Sequence, residues 1–241
     1  QIHYNPTIAD TTLQDPPVSL DWDAWCGPAP LLPYSSSKGH MSWRFEKAYG
    51  NGHLVDWGIH NIDITRTIMG YDMPTTIEAQ GGIYTLQGKT NTPDTLTATM
   101  LFDKVPLIWH HRLWGTGEID PQYNNGIFFH GDKGTLYAAD NRLVLKTTGR
   151  DSQPEIMEIP SPRMQEEHVA EFIHAVRTGN RELISCTIDD AFRSTATVQL
   201  SMIAYETGNR VQWDGERQTI NGNETAAALL ARPYREGYQR P

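Results

Sequence analysis

Gly52-His53-Leu54-Val55-Asp56-Trp57-Gly58-Ile59-His60-Asn61-Ile62-Asp63 is the stretch on which the reading of this chain turns. Advanced as a helix by about 100° per residue, it gathers His53, Asp56, His60, Asp63 and Thr67 into a wedge of roughly 80°. Leu54, Val55, Trp57, Ile59, Ile62, Ile64, Ile68 and Met69 take most of the remaining circumference, which predicts a buried helix over residues 51–69. Asn51 stands where an N-cap belongs, Gly70 where a helix stops, and Pro74 bars simple continuation. A narrow polar stripe on such a helix must meet backbone, solvent in a cleft, or a ligand. Asp56 and His60, four apart on one face, make a carboxylate–imidazole pair in which the carboxylate orients the ring and raises its basicity. General acid/base chemistry requires that arrangement. His53 and Asp63 extend the stripe as candidate substrate contacts. The competing reading is a set of buried polar groups satisfied by their own surroundings.

Two sharper motifs fail in the same stretch. His53 and His60 are separated by about 10.5 Å of helix rise, too far for one ion to be held by both, so no metal site is assigned. Gly50-Asn51-Gly52-His53-Leu54-Val55 imitates the opening of a dinucleotide fingerprint but lacks its third glycine. Trp43-Arg44-Phe45-Glu46-Lys47-Ala48-Tyr49, which precedes it, is not the apolar strand that fingerprint needs. Trp43 and Arg44 enter just before the helix and are candidates to line the same cleft.

With 241 residues the chain has the length for a substantial core. Its 20 Lys and Arg against 29 Asp and Glu leave a net charge of −9, which disfavours nucleic acid and anionic membranes as partners. No run approaches the roughly 18 apolar residues of a membrane span. Cys26 and Cys186 are too few for a disulfide framework and too isolated for a zinc motif, and they leave the compartment open. The chain starts at Gln1 with the alternation of a strand end, so the expectation is that a longer protein has been processed or cut.

Residues 6–38 read as a proline-rich arm without periodicity, anchored by Trp22 and Trp25 on a short helical turn. From 75 to 160 the pattern is that of strands: 75–86, 95–102, 105–114, 126–130, 134–138 and 143–146, with turns at Asp103-Lys104, Asp132-Lys133 and Asp140-Asn141. In Trp109-His110-His111-Arg112-Leu113-Trp114, the side chains of His110, Arg112 and Trp114 share one face. Aromatic faces beside bidentate polar groups suit a sugar, which makes His110 and Arg112 further binding candidates; cross-strand packing explains them as well. Helices return over 163–230, one ended by Gly179, one opened by Thr187 and ended by Gly208, and one opened after Asn223. The expectation is a single α+β domain over 1–241, an open, mostly antiparallel sheet with helices on one face. The other, bare face is expected to meet a second copy, giving a homo-oligomer.

These segments resemble the C-terminal domain of the Gfo/Idh/MocA family, the glucose–fructose oxidoreductase and inositol dehydrogenase family, in its bacterial branch. Residues 20–30, Leu-Asp-Trp-Asp-Ala-Trp-Cys-Gly-Pro-Ala-Pro, look like that branch's arm, and Gly52 to His60 is similar to its G-x3-D-x3-H motif. Ile203-Ala204-Tyr205, Trp213-Asp214 and Tyr234-Arg235 are similar to its ending. The resemblance implies an NAD(P)-dependent sugar or polyol oxidoreductase in which Asp56 binds substrate and His60 is the acid/base during hydride transfer. The family's nucleotide-binding half has no counterpart here, so no Rossmann domain and no cofactor binding are expected of this chain alone. Its E-K-P lysine is missing too, Glu46-Lys47-Ala48 being misplaced and lacking the proline. The alternatives are a cofactor-independent sugar lyase, hydratase or glycosidase using the same pair, and a non-catalytic sugar-binding module.

Overall fold

Alternation decides which way the central strands face: Leu96, Ala98, Met100 and Phe102 are buried, while Thr95, Thr97, Thr99 and Leu101 between them look outward. A computed structural model describes residues 1–160 and 163–240. In chain order its elements are β1 (Ile2–His3), α1 (Trp22–Cys26), a single π-helical turn (Leu54–Gly58) and α2 (Ile59–Met69). There follow β2 (Thr76–Gly82), β3 (Thr95–Phe102), β4 (Val105–Arg112), β5 (Ile127–Gly131), β6 (Gly134–Ala139), β7 (Arg142–Thr147) and β8 (Glu155–Glu158). The chain ends with α3 (Met164–Thr178), α4 (Ile188–Thr207), β9 (Val211–Asp214), β10 (Thr219–Ile220) and α5 (Glu224–Ala228).

The α+β class holds, with one refinement. Among the described residues the strands form two sheets, ordered β1-β4-β3-β2-β9-β10 and β5-β6-β7-β8, rather than one. All neighbours are antiparallel except β1 with β4, where Ile2 stands opposite His111. The expected first strand of the sheet stops at Gly82 instead of residue 86. The backbone N–H groups of Tyr84, Thr85 and Leu86 turn to the buried carboxylate of Asp94 at 2.8–3.0 Å, so they are withdrawn from the ladder.

α2 and α4 cover the inner face of the larger sheet, where Leu54, Ile62, Ile77, Val198 and Val211 meet. α4 approaches closely because its buried face carries small hydroxyl residues that satisfy themselves. Thr197 donates to the Arg193 carbonyl at 2.8 Å and Ser201 to the Thr197 carbonyl at 2.9 Å. The outer face differs from the bare apolar surface expected: Thr97, Thr99, Glu78, Gln80, His110 and Arg112 dominate it, and Ile108 with Leu101 and Pro106 form its apolar part.

The arm is held in its middle, at α1. Asp21 caps α1 by accepting from the Ala24 N–H, and Trp22 stacks on Trp25 at 4.6 Å with Tyr49 set edge-on to both. From the far end of the chain, Arg235 forks onto the Asp23 carboxylate and donates to the Gly27 carbonyl. Both cysteines are free, Cys26 buried and Cys186 exposed.

Candidate functional site

The helix at the centre of the sequence forms, but its first turn is π rather than α, and that changes the site. Asn51 is no N-cap. It takes a left-handed φ of 66°, and its side chain donates to Gln199. The turn Gly50-Asn51-Gly52 folds back on Arg44 instead: the Gly52 N–H donates to the Arg44 carbonyl at 2.8 Å. A Cβ at Gly50 would lie 2.5 Å from Arg44 Cα, so only glycine lets the two backbones touch. That contact carries the Arg44 side chain to the helix, where Nε donates to Asp56 Oδ1 at 3.0 Å. The guanidinium lies over the Trp43 ring at 4.9 Å.

Gly58 closes the π turn against β4. A Cβ there would meet Leu54 Cδ1 at 2.7 Å and the Trp109 ring at 3.2 Å, so the missing side chain is what lets the helix sit on the strand. The wider turn breaks the even 100° progression, and the five residues of the stripe do not share one face. Asp56 and His60 are not hydrogen-bonded to each other. Asp56 is paired with Arg44, while the exposed His60 ring stands edge-on to Trp57 at 5.9 Å.

The remaining candidates separate. His53 is 1% exposed and packs under Tyr4, Trp109 and His111, out of reach of a ligand on the outer side of the helix. Burial, with the neighbouring His111, pushes its pKa down to about 3, so it is a neutral ring in the core. Asp63 belongs to the α2–α4 contact: Ser194 donates to it at 2.5 Å, and Arg66, itself 4% exposed, donates to Ser194 at 2.6 Å. His110 and Arg112 lie on the outer sheet face. His110 Nδ1 is 3.0 Å from the Thr97 hydroxyl and Arg112 reaches the Thr116 carbonyl, whereas β4 offers Trp109 and His111 to the helix. The candidate site that survives is Trp43, Arg44, Asp56 and His60.

Trp57 is the residue that the expectation of burial around most of the helix misplaced. It was expected in the core and is 50% exposed, as are Ile64 and Ile68 to similar degrees. One face of α2 is buried, not most of its circumference. His60 is exposed, and Asp56 is partly covered under Arg44. Cavities of about 840, 600 and 490 Å³ occur elsewhere, the largest between the β4 edge and the smaller sheet, and neither Asp56 nor His60 lines any of them. Among the described residues no group of three or more His, Cys, Asp or Glu is arranged to hold a metal ion, and no helix is long and apolar enough to cross a membrane. In the turn Gly50-Asn51-Gly52 the backbone N–H groups that a pyrophosphate would need already donate to the Glu46 and Arg44 carbonyls.

Comparison with known proteins places these observations in context. A family model described as the oxidoreductase family, C-terminal alpha/beta domain (Gfo/Idh/MocA), matches residues 7–240. No curated protein matches the chain in sequence. Among solved structures, the chain is similar to an oxidoreductase from Agrobacterium radiobacter in complex with NAD+, L-tartaric acid and magnesium. Identity is 20% and the TM-score 0.52, over 71% of this chain and 52% of that one. It is also similar to the transcriptional regulator Gal80p from Kluyveromyces lactis, at 16% identity and a TM-score of 0.54, over 72% of this chain and 48% of that one. At such identities the likeness is one of fold. The chain spans about half the length of the structures it matches.

Proposed function

This chain belongs to the Gfo/Idh/MocA oxidoreductase family, as its C-terminal alpha/beta domain, and from that premise we propose that it is the substrate-binding half of an NAD(P)-dependent sugar or polyol oxidoreductase. The observation that carries the reading is the patch at the head of α2: a carboxylate fixed by an arginine, with a solvent-open imidazole one turn further on. Asp56, held by Arg44, accepts a hydrogen bond from a substrate hydroxyl and keeps its own orientation while doing so. His60 takes the proton from the hydroxyl whose carbon is oxidised, or returns it in the reverse direction. No residue role proposed here depends on a dinucleotide, and no step of this chain's chemistry runs through it. An acid/base group on open surface is one wall of a site, and the matched structures have about half their length outside the region of likeness.

A homo-oligomer through the outer face of the six-stranded sheet belongs to the same reading, with Ile108, at 62% exposed, as its apolar centre. The second reading, a sugar-binding module without catalysis, is favoured by one comparison, since a transcriptional regulator shares the fold. Calorimetric titration with methyl β-D-glucopyranoside and myo-inositol, followed by Asp56→Asn and His60→Gln, tests the first. A hydrogen bond to a charged group is worth about 1.5–3 kcal/mol, so Asp56→Asn should weaken binding by roughly 10- to 100-fold. Binding indifferent to both substitutions would refute it.

A further inference from the structure

We propose that the cleft between β4 and β5 is a slot for one extended peptide segment of a partner chain, aliphatic at alternate positions. The segment enters parallel to β4 and antiparallel to β5 and joins the two sheets into one. This inference is independent of the sugar reading at the head of α2.

Strand pairing fixes which backbone groups face the cleft. The Leu113 N–H donates to the Asp94 carbonyl at 2.8 Å, so the odd-numbered residues of β4 turn their backbone groups to β3. Pro106, Ile108 and His110 turn theirs the other way. Gly126, just before β5, exchanges both of its backbone bonds with Gln1, at 2.8 and 3.1 Å, so Phe128 and His130 face the cleft from the opposite wall. Among the described residues no group takes up the Ile108, His110, Phe128 or His130 N–H. β1 shows the width of the gap. Ile2 stands opposite His111 in parallel with β4, Tyr4 donates to the Arg112 carbonyl at 3.2 Å, and His3 donates to the Asn124 carbonyl at 3.3 Å. One strand therefore spans both edges there. Beside Gln1 the gap continues as the cleft of about 840 Å³, with Ile62, Thr65 and Met69 of α2 as its floor.

Along the line of β1, a strand of about four residues at roughly 3.3 Å each matches Pro106 to His110 on one side and Phe128 to His130 on the other. Its residues bond alternately to β4 and to β5, because the two edges offer their groups in step with β1. Side chains that follow the direction of the buried Ile2 lie over the α2 floor and are aliphatic. Those between them share the outer face with Ile108 and can be polar. A small apolar molecule is the poorer occupant, because it would cover both rows of N–H and C=O groups without bonding to them. A folded second copy is poorer too. A strand in the slot needs both of its edges free, and the edge strands β8 and β10 are each already bonded along one side, to β7 and β9.

The test is amide hydrogen exchange of the whole chain, followed by NMR, with the peptide acetyl-Lys-Thr-Val-Thr-Val-amide at up to about 1 mM. Exchange at Ile108, His110, Phe128 and His130 should slow together, by about tenfold or more, as their N–H groups enter a ladder. Trp109 and Phe129, already bonded within their own sheets, should not change. The same peptide N-methylated at both valines keeps the side chains and loses two donors, and it should protect none of the four. Ile108→Pro removes one donor from the slot and leaves the β3–β4 ladder intact, as Pro106 already does on that edge. It should weaken the peptide by about tenfold. The exchange pattern of the parent chain decides the matter whether or not that variant folds. No protection at about 1 mM peptide, protection along one wall only, or equal protection by the N-methylated peptide overturns the slot.

Discussion

Replacing His53 by leucine should make the chain less sensitive to acid. His53 is 1% exposed, and neither ring nitrogen has a partner among the described residues. Burial, helped by His111, holds its pKa down at about 3; burial holds His111 at about 4, partly opposed by the Pro93 carbonyl. In the unfolded chain both rings titrate near 6.5. Because the folded values lie lower, the stability these two groups contribute is complete above pH 6.5 and is lost as the pH falls from there toward the folded values. At pH 5.5, one unit below the unfolded value, each unfolded ring gains about 1.4 kcal/mol by protonation. The folded rings, both more than a unit lower, gain almost nothing. The pair therefore costs the fold about 3 kcal/mol between pH 7.5 and 5.5, a sizeable share of a typical 5–15 kcal/mol.

His53→Leu removes half of that loss, and it also removes an unsatisfied buried polar group for a side chain of similar size. At pH 7.5 it should be neutral or stabilising. Urea unfolding followed by tryptophan fluorescence at the two pH values measures both effects. The parent should lose about 1.4 kcal/mol more than the variant over this interval. Equal losses, or a variant destabilised by more than about 2 kcal/mol at pH 7.5, would refute the account of His53 as an unpartnered core ring.

Gly58→Ala drives a methyl group into Leu54 and Trp109 and should cost about 1–3 kcal/mol in chemical unfolding, with the π turn displaced from β4. Ser194→Ala removes the hydroxyl that bridges Arg66 to Asp63 at the α2–α4 contact while Arg66 keeps the Asp72 and Tyr71 carbonyls; a loss of about 1 kcal/mol is expected, with sugar affinity unchanged if the proposed site excludes Asp63. Arg44→Gln breaks an ion pair that is still partly open to solvent, so thermal unfolding should register about 1 kcal/mol. Glucoside affinity should nevertheless fall, since Asp56 loses the group that aims it. Arg235→Ala releases the C-terminal clamp on α1, and limited proteolysis should then cut within residues 6–38 faster than in the parent.

Much of the fold was legible because local chemistry and tertiary packing agree. The bounds of β3 follow from a strict alternation and an Asp-Lys turn, and α2, α3 and α4 all end on left-handed glycines, Gly70, Gly179 and Gly208. β8 was missed because Glu155 to Glu158 are exposed throughout and leave no alternation to read. The division into two sheets was missed as well, since each hairpin looks the same whichever sheet it joins. Of the candidate site, what was legible is which residues the structure brings together. Asp56, His60, Trp43 and Arg44 share the head of α2, as residue type and proximity along the chain suggested. His53, Asp63, His110 and Arg112 are placed apart from them, for two reasons. A π turn leaves no mark in a 3.6-residue pattern, and a polar side chain aimed at a neighbouring helix looks in sequence like one aimed at a ligand. Trp57 was lost to a different assumption, that a helix rich in apolar residues is buried around most of its circumference: it lies on the open side with Ile64 and Ile68.

The central claim is the proposal that the head of α2 binds a sugar or polyol. Backbone amide shifts of the whole chain, mapped during titration with methyl β-D-glucopyranoside, test it most directly. The account predicts perturbations grouped on residues 43–44 and 56–60. Perturbations grouped instead on the apolar cleft between the β4 edge and the smaller sheet, or around Trp213 and Asp214, would contradict it.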